Sequence, residues 1–130
     1  MAATSYIHVA NITTPINTPI DSPQQTALTL GWCMLNSVYL RIPAGHQGLT
    51  GWALLVNGVS VIPWQQPGVY LIGDNEVFSE LMGLQIDTGL EIVTYNLDTA
   101  YPHTHYARFS YTPIAAANLP KSLVTPLELA

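Results

Sequence analysis

The clearest local pattern of apolar positions lies in residues 40–64, where the runs 52–56 and 59–62 flank the pair Asn57-Gly58. Asn-Gly accepts positive φ at both central positions. That matches the twist of paired antiparallel strands, so the stretch predicts a two-residue β-hairpin. Such a turn fixes the register. Val56 is expected opposite Val59, Leu54 opposite Val61 and Trp52 opposite Pro63, all on one face, with Ala53, Leu55, Ser60 and Ile62 on the other. Both faces are largely apolar, whereas a hairpin lying on a surface shows one polar face. Something is therefore expected against each side. Trp52, Leu54, Leu55, Ile62 and Trp64 become the candidates for a contact between subunits.

The same reading applied along the chain predicts six to eight short strands. Residues 5–12 are rich in β-branched and aromatic side chains. Residues 26–35 form an apolar run interrupted at Gly31, and 36–42 set Val38, Leu40 and Ile42 against Tyr39 and Arg41. Residues 69–72 suggest a short strand, and 76–82 a strand or a single helical turn. Asp87-Thr88-Gly89 between 84–86 and 90–95 predicts a second hairpin. Residues 104–111 alternate His105, Ala107, Phe109 and Tyr111 with Thr104, Tyr106, Arg108 and Ser110.

Prolines break this pattern in two places. Pro15, Pro19 and Pro23 make 13–25 an extended connector, either a surface loop or an arm along a neighbouring subunit. Pro113, Pro120 and Pro126 do the same for the tail, 112–130. The expected fold is one all-β domain over 1–130, an antiparallel sandwich or jelly-roll-like barrel with a body of about 26–111 and extended proline-rich arms.

Composition sharpens the interaction question. The chain of 130 residues is 48% hydrophobic and only 8% charged, so its surface must be covered by neutral and apolar groups. No apolar run is long enough for a membrane helix, and the prolines disfavour a transmembrane barrel. With 3 Lys+Arg and a formal net charge of -5, the chain is poorly equipped to neutralise phosphates, so neither nucleic acid nor membrane is an expected partner. Self-association is expected instead, most simply as a cyclic trimer, pentamer or hexamer. Cys33 lies in an apolar run and is expected to be a buried small hydrophobe. The N-terminal residues lack a secretory pattern, which suggests synthesis in a reducing cytoplasm.

Candidate chemistry is sparse. His103 and His105 are two apart and point the same way on a strand, a weak start for a metal site that would need a third ligand from His8, His46, Asp98 or Glu91. His46 in PAGHQG lies in a glycine-bearing loop without the pattern of a phosphate site, so a structural role is expected there. Asp74, Glu76 and Glu80 cluster around one turn without indicating a catalytic pair. No nucleophile elbow or nucleotide fingerprint is present, and no cofactor is expected. The many aromatics, Trp32, Trp52, Trp64 and Tyr70 among them, open the alternative of a carbohydrate-binding sandwich module. A cupin-like metal enzyme built on His103 and His105 is the second alternative.

The strings IPAGHQGLTGW (42–52), IPW (62–64), YLIGDNE (70–76) and YNLDTAYPHTHYARF (95–109), in that order, resemble small virion proteins of tailed bacteriophages. The resemblance covers about 36–111. It implies a β-sandwich that joins shells, collars or tails in many identical copies. No enzymatic residues follow from it. The expected function is a non-enzymatic structural protein of the virion, made in the host cytoplasm. Its partners would be itself and neighbouring shell, collar or tail proteins, with capsid decoration or a head or collar component preferred.

Overall fold

A computed structural model describes residues 4–87 and 89–114. They form eight strands: β1 (Tyr6–Thr14), β2 (Gln24–Thr29), β3 (Cys33–Ile42), β4 (Thr50–Val56), β5 (Val59–Ile62), β6 (Glu76–Ile86), β7 (Gly89–Asn96) and β8 (His103–Pro113). One sheet has the order β1-β8-β3-β6 and the other β2-β7-β4-β5, with every pairing antiparallel. This is the double-sheet order of a jelly roll. The chain changes sheet at every connection except β4 to β5. The expected sandwich is therefore present. Both sheets keep open edges, so the barrel alternative is not.

The hairpin forms where Asn57-Gly58 predicts it, with φ of 51° and 78° and Val56 paired to Val59. Its register then departs from expectation. Leu55 pairs with Ser60, but Leu54 pairs with Ile62, which leaves Val61 as an extra residue in a bulge. Val61 and Ile62 are consequently both buried, one step from the cis Ile62-Pro63 bond. The second predicted hairpin does not form. β6 ends at Ile86 and β7 begins at Gly89, but β6 pairs with β3 while β7 pairs with β2 and β4. A tight-turn signal marks reversal of direction. Here the connection crosses from one sheet to the other.

Other boundaries move in informative ways. The break at Gly31 (φ 72°) hands residues 33–35 to β3 rather than to the strand before it. Residues 76–86 make one long strand, bulged at Gly83 (φ 55°), and no helical turn. Residues 69–72 supply only an isolated bridge, Leu71 to Trp52.

The core is built from alternate residues of both sheets. Leu35, Leu40, Ile42, Ala107 and Phe109 from the first meet Trp52, Leu54, Leu90 and Ile92 from the second. Each fully buried aliphatic or aromatic side chain of this kind stabilises the fold by about 1.5–3 kcal/mol. Cys33 is among them, fully buried as expected, with its thiol pKa pushed up by that burial. The back of β4 is covered by the chain itself. Tyr70 packs edge-on against Tyr95 at 4.9 Å, above Gly51. The second layer that the hairpin demanded is thus partly intramolecular.

The 13–25 connector is not a free arm. Asn17 N–H donates to Asp98 O (3.0 Å), and Thr18 exchanges two backbone hydrogen bonds with Asn96 (2.8 and 2.9 Å). The segment is held against its own sandwich. At the other terminus Thr112 and Pro113 belong to β8 and Ile114 N–H donates to Trp32 O. The rest of the expected C-terminal arm lies outside the described residues.

Candidate functional site

Register alone brings two histidines and a threonine to one end of the sandwich interior. Thr14 pairs with His103 and Ile12 with His105, while Thr50 pairs with Asn96 in the facing sheet. The β3–β4 loop then folds inward and adds His46. Asp74 holds that loop by accepting from the Gly45 (2.8 Å) and Gln47 (3.0 Å) amides. The Gln47 amide is the main reason its carboxyl pKa lies below the usual range. The His46 ring lies 4.6 Å from that of His103 and 4.8 Å from that of His105.

The hydrogen bonds assign the tautomers. His46 Nε2 faces the Thr104 carbonyl at 3.1 Å and must donate, so Nδ1 accepts from the Thr50 hydroxyl at 2.6 Å. That hydroxyl in turn accepts from His105 Nε2 at 3.4 Å. His105 Nδ1 is left as a buried lone pair with no partner. Burial drives the His105 pKa down to about 3, reinforced by His46 and His103. Burial also lowers that of His46. His103 stands nearer the surface and donates from Nε2 to Asp98 at 2.8 Å. The Asp98 carboxyl is held low first by the Ala100 amide and then by His103. Thr14 Oγ1 donates to Thr94 Oγ1 at 2.7 Å across the two sheets, and Asn96 Nδ2 ties the Thr14 and Tyr101 carbonyls.

A hydroxyl between two imidazoles has the form of an activated nucleophile. This one is sealed. Thr50 and His105 are fully buried and His46 nearly so. None of them lines the cavities beside Trp64, Arg41 or Tyr70. Among the described residues no group of three His, Cys, Asp or Glu side chains is arranged to hold a metal ion. The cluster is a polar plug that ties loop to sheet and sheet to sheet. The sequence predicts a structural role for the loop that carries His46. That role is what the geometry shows, although its closeness to His103 and His105 was not legible, because it depends on pairings between distant strands.

The accessible feature is elsewhere. Between edge strands β5 and β6 lies a groove of about 470 Å³ lined by Val61, Ile62, Pro63, Trp64, Leu71, Leu81 and their neighbours. Leu81 is 90% exposed and Trp64 56% exposed. Val77 on β6 and Ile7 and Val9 on β1 are also exposed, so both edges of the first sheet carry open apolar side chains. Long edge strands with exposed apolar groups are templates for association.

The proposed contact residues divide accordingly. Trp52, Leu54 and Ile62 face the core and cannot reach a partner; the inner layer of their own sandwich consumes them. Leu55 is half-buried beneath the 67–70 loop, and Trp64 alone of the five is open. On the first sheet Tyr6, 51% exposed, pairs with Tyr111, their ring centroids 6.0 Å apart. Tyr39 and Tyr106 are covered by guanidinium groups, and Tyr95 by Tyr70.

No family model and no curated protein matches the sequence. Among solved structures, the chain is similar to one described as "Cyanophage Pam1 capsid asymmetric unit", with a TM-score of 0.52, 9% identity and coverage of 86% of each chain. At that identity the likeness concerns the fold. Over 86% of its length this chain shares that β-sandwich fold.

Proposed function

We propose that the protein is a non-enzymatic structural component of a virus particle. It assembles through apolar surfaces with copies of itself and with neighbouring capsid or tail proteins. The observation that carries this reading is the shared sandwich, spanning 86% of this chain and 86% of a chain from a phage capsid asymmetric unit. Its surface supports the same reading. The groove beside Trp64 and Leu81 offers apolar area that a solitary soluble domain has no use for. Within the particle, capsid decoration or a head or collar position suits a small sandwich of this kind. Its place is the virion, after synthesis in the host cytoplasm.

The test is mass in solution, alone and mixed with candidate shell, collar and tail proteins, for the unmodified chain and for Leu81→Lys. The expected result is a defined oligomer or a stable complex, weakened at least roughly tenfold by Leu81→Lys; such a loss is about 1.4 kcal/mol. A monodisperse monomer that binds no virion component overturns the reading.

A further inference from the structure

The outer face of the first sheet carries an unusual arrangement of charge. Arg41 and Arg108 are the only Lys or Arg side chains among the described residues, and they lie diagonally across the adjacent strands β3 and β8. Register places Arg41 opposite Tyr106 and Arg108 opposite Tyr39, so the four residues form a two-by-two checkerboard on β3 and β8. The Arg41 guanidinium lies 4.7 Å from the Tyr106 ring centroid, and that of Arg108 lies 5.5 Å from Tyr39. Neither makes an ion pair with a described carboxylate. Two like charges on adjacent strands repel. Stacking on tyrosine spreads each guanidinium over a ring and leaves its in-plane N–H groups free to donate to a carboxylate. A depression of about 190 Å³ lies over this platform, flanked by Val9 and Asn11.

The described carboxylates nearest in register, on β6, cannot fill it from within. Glu76 pairs with Ile42 and Glu80 with Val38, so both point to the face of the sheet opposite the arginines, at its β6 edge. Both are exposed, and Glu80 lines the apolar groove beside Trp64 and Leu81. Val9 and Val77, 55% and 54% exposed, border the arginines in the same register. A basic centre with apolar flanks therefore stands on one surface, and an acidic rim with an apolar groove on another. The two are complementary, and the sheet between them prevents their meeting within one molecule.

Building on the assembly reading above, we infer that copies of the chain join head to tail, with Arg41 and Arg108 of one copy receiving Glu76 and Glu80 of the next. Such a heterologous contact repeats around a ring. Sedimentation and native mass measurements on three variants test it. Arg41→Glu/Arg108→Glu is expected to weaken self-association roughly a hundredfold, and Glu76→Arg/Glu80→Arg to do the same. The variant carrying all four changes restores the complementarity with reversed sign and is expected to recover association to within about tenfold. Circular dichroism identifies the folded preparations, and all four changed side chains are exposed.

Association that survives Arg41→Glu/Arg108→Glu undiminished overturns the inference. So does a folded four-site variant that stays dispersed. If charge reversal has no effect while Leu81→Lys disperses the oligomer, this contact fails and the assembly reading stands. If the unmodified chain is a monomer that binds no virion component, both fall.

Discussion

His46 Nδ1 lies 2.6 Å from the hydroxyl of Thr50, four residues further along the chain, and this short bond locks the β3–β4 loop into the end of the sandwich. The same hydroxyl serves His105 from the other side. Thr50→Val keeps the shape and removes the shared oxygen, which leaves a buried imidazole acceptor and a buried N–H unpaired. The expected loss is about 1–3 kcal/mol of folding stability, read from the urea midpoint. Thr50→Ser, which keeps the hydroxyl, should lose distinctly less.

The same cluster sets an acid limit on the fold. His105 is neutral in the folded state, with its pKa near 3 against 6.5 in the open chain. Between those values the unfolded chain binds more protons, so stability rises with pH there and is lost as pH falls below about 6.5. At pH 5 the burial of His105 alone costs about 2 kcal/mol relative to pH 7. His46, also lowered, acts with the same sign. Asp98, whose carboxyl pKa is lowered, adds a further loss below the usual carboxylate range. The groups facing His105 are the His46 and His103 rings and the Thr50 hydroxyl. Tm measured from pH 7 to pH 5 should fall, and His105→Leu should flatten that slope. A level Tm in the unmodified chain contradicts the assignment.

Gly51 is required by its neighbours rather than by its backbone conformation. A Cβ there would lie 2.7 Å from Tyr95 Cζ and 2.8 Å from Tyr70 Cβ. Gly51→Ala is expected to cost about 1–3 kcal/mol through overpacking. Adding Tyr95→Leu should recover part of it, and a double-mutant cycle from thermal or urea unfolding measures that coupling.

Trp64 reports on the groove. It is exposed while Trp52 is buried, so burial of the groove on association should shift tryptophan emission to the blue. Trp64→Phe is expected to abolish most of that shift while changing folding stability by no more than about 0.5 kcal/mol. A blue shift that persists in Trp64→Phe places the contact on another surface.

Much of the fold was legible because local chemistry wrote it. Asn57-Gly58 specified its turn without help, and the alternation through 104–111 put His105, Ala107 and Phe109 on one face, which the fold then buries. Where the reading failed, the deciding residues were far apart in sequence. The Val61 bulge made Leu54 face Ile62 instead, and nothing in the apolar run 59–62 distinguishes a slipped register from a regular one. The turn at 87–89 carries the same signal whether the chain turns within a sheet or between sheets.

The low charge, the turn residues and the alternation of apolar side chains are properties of neighbours in the chain. They determined an all-β protein with apolar surface to hide. Which surface is hidden, and from whom, was decided only by tertiary structure. Trp52, Leu54 and Ile62 spend their apolar area on their own core, while Leu81 and Trp64 are left at the sheet edges. Three histidines spread over sixty residues of chain become one sealed cluster, and two arginines on different strands become one open platform. Those juxtapositions arise from pairing register between distant strands, and a linear pattern carries no record of which strand will lie beside which.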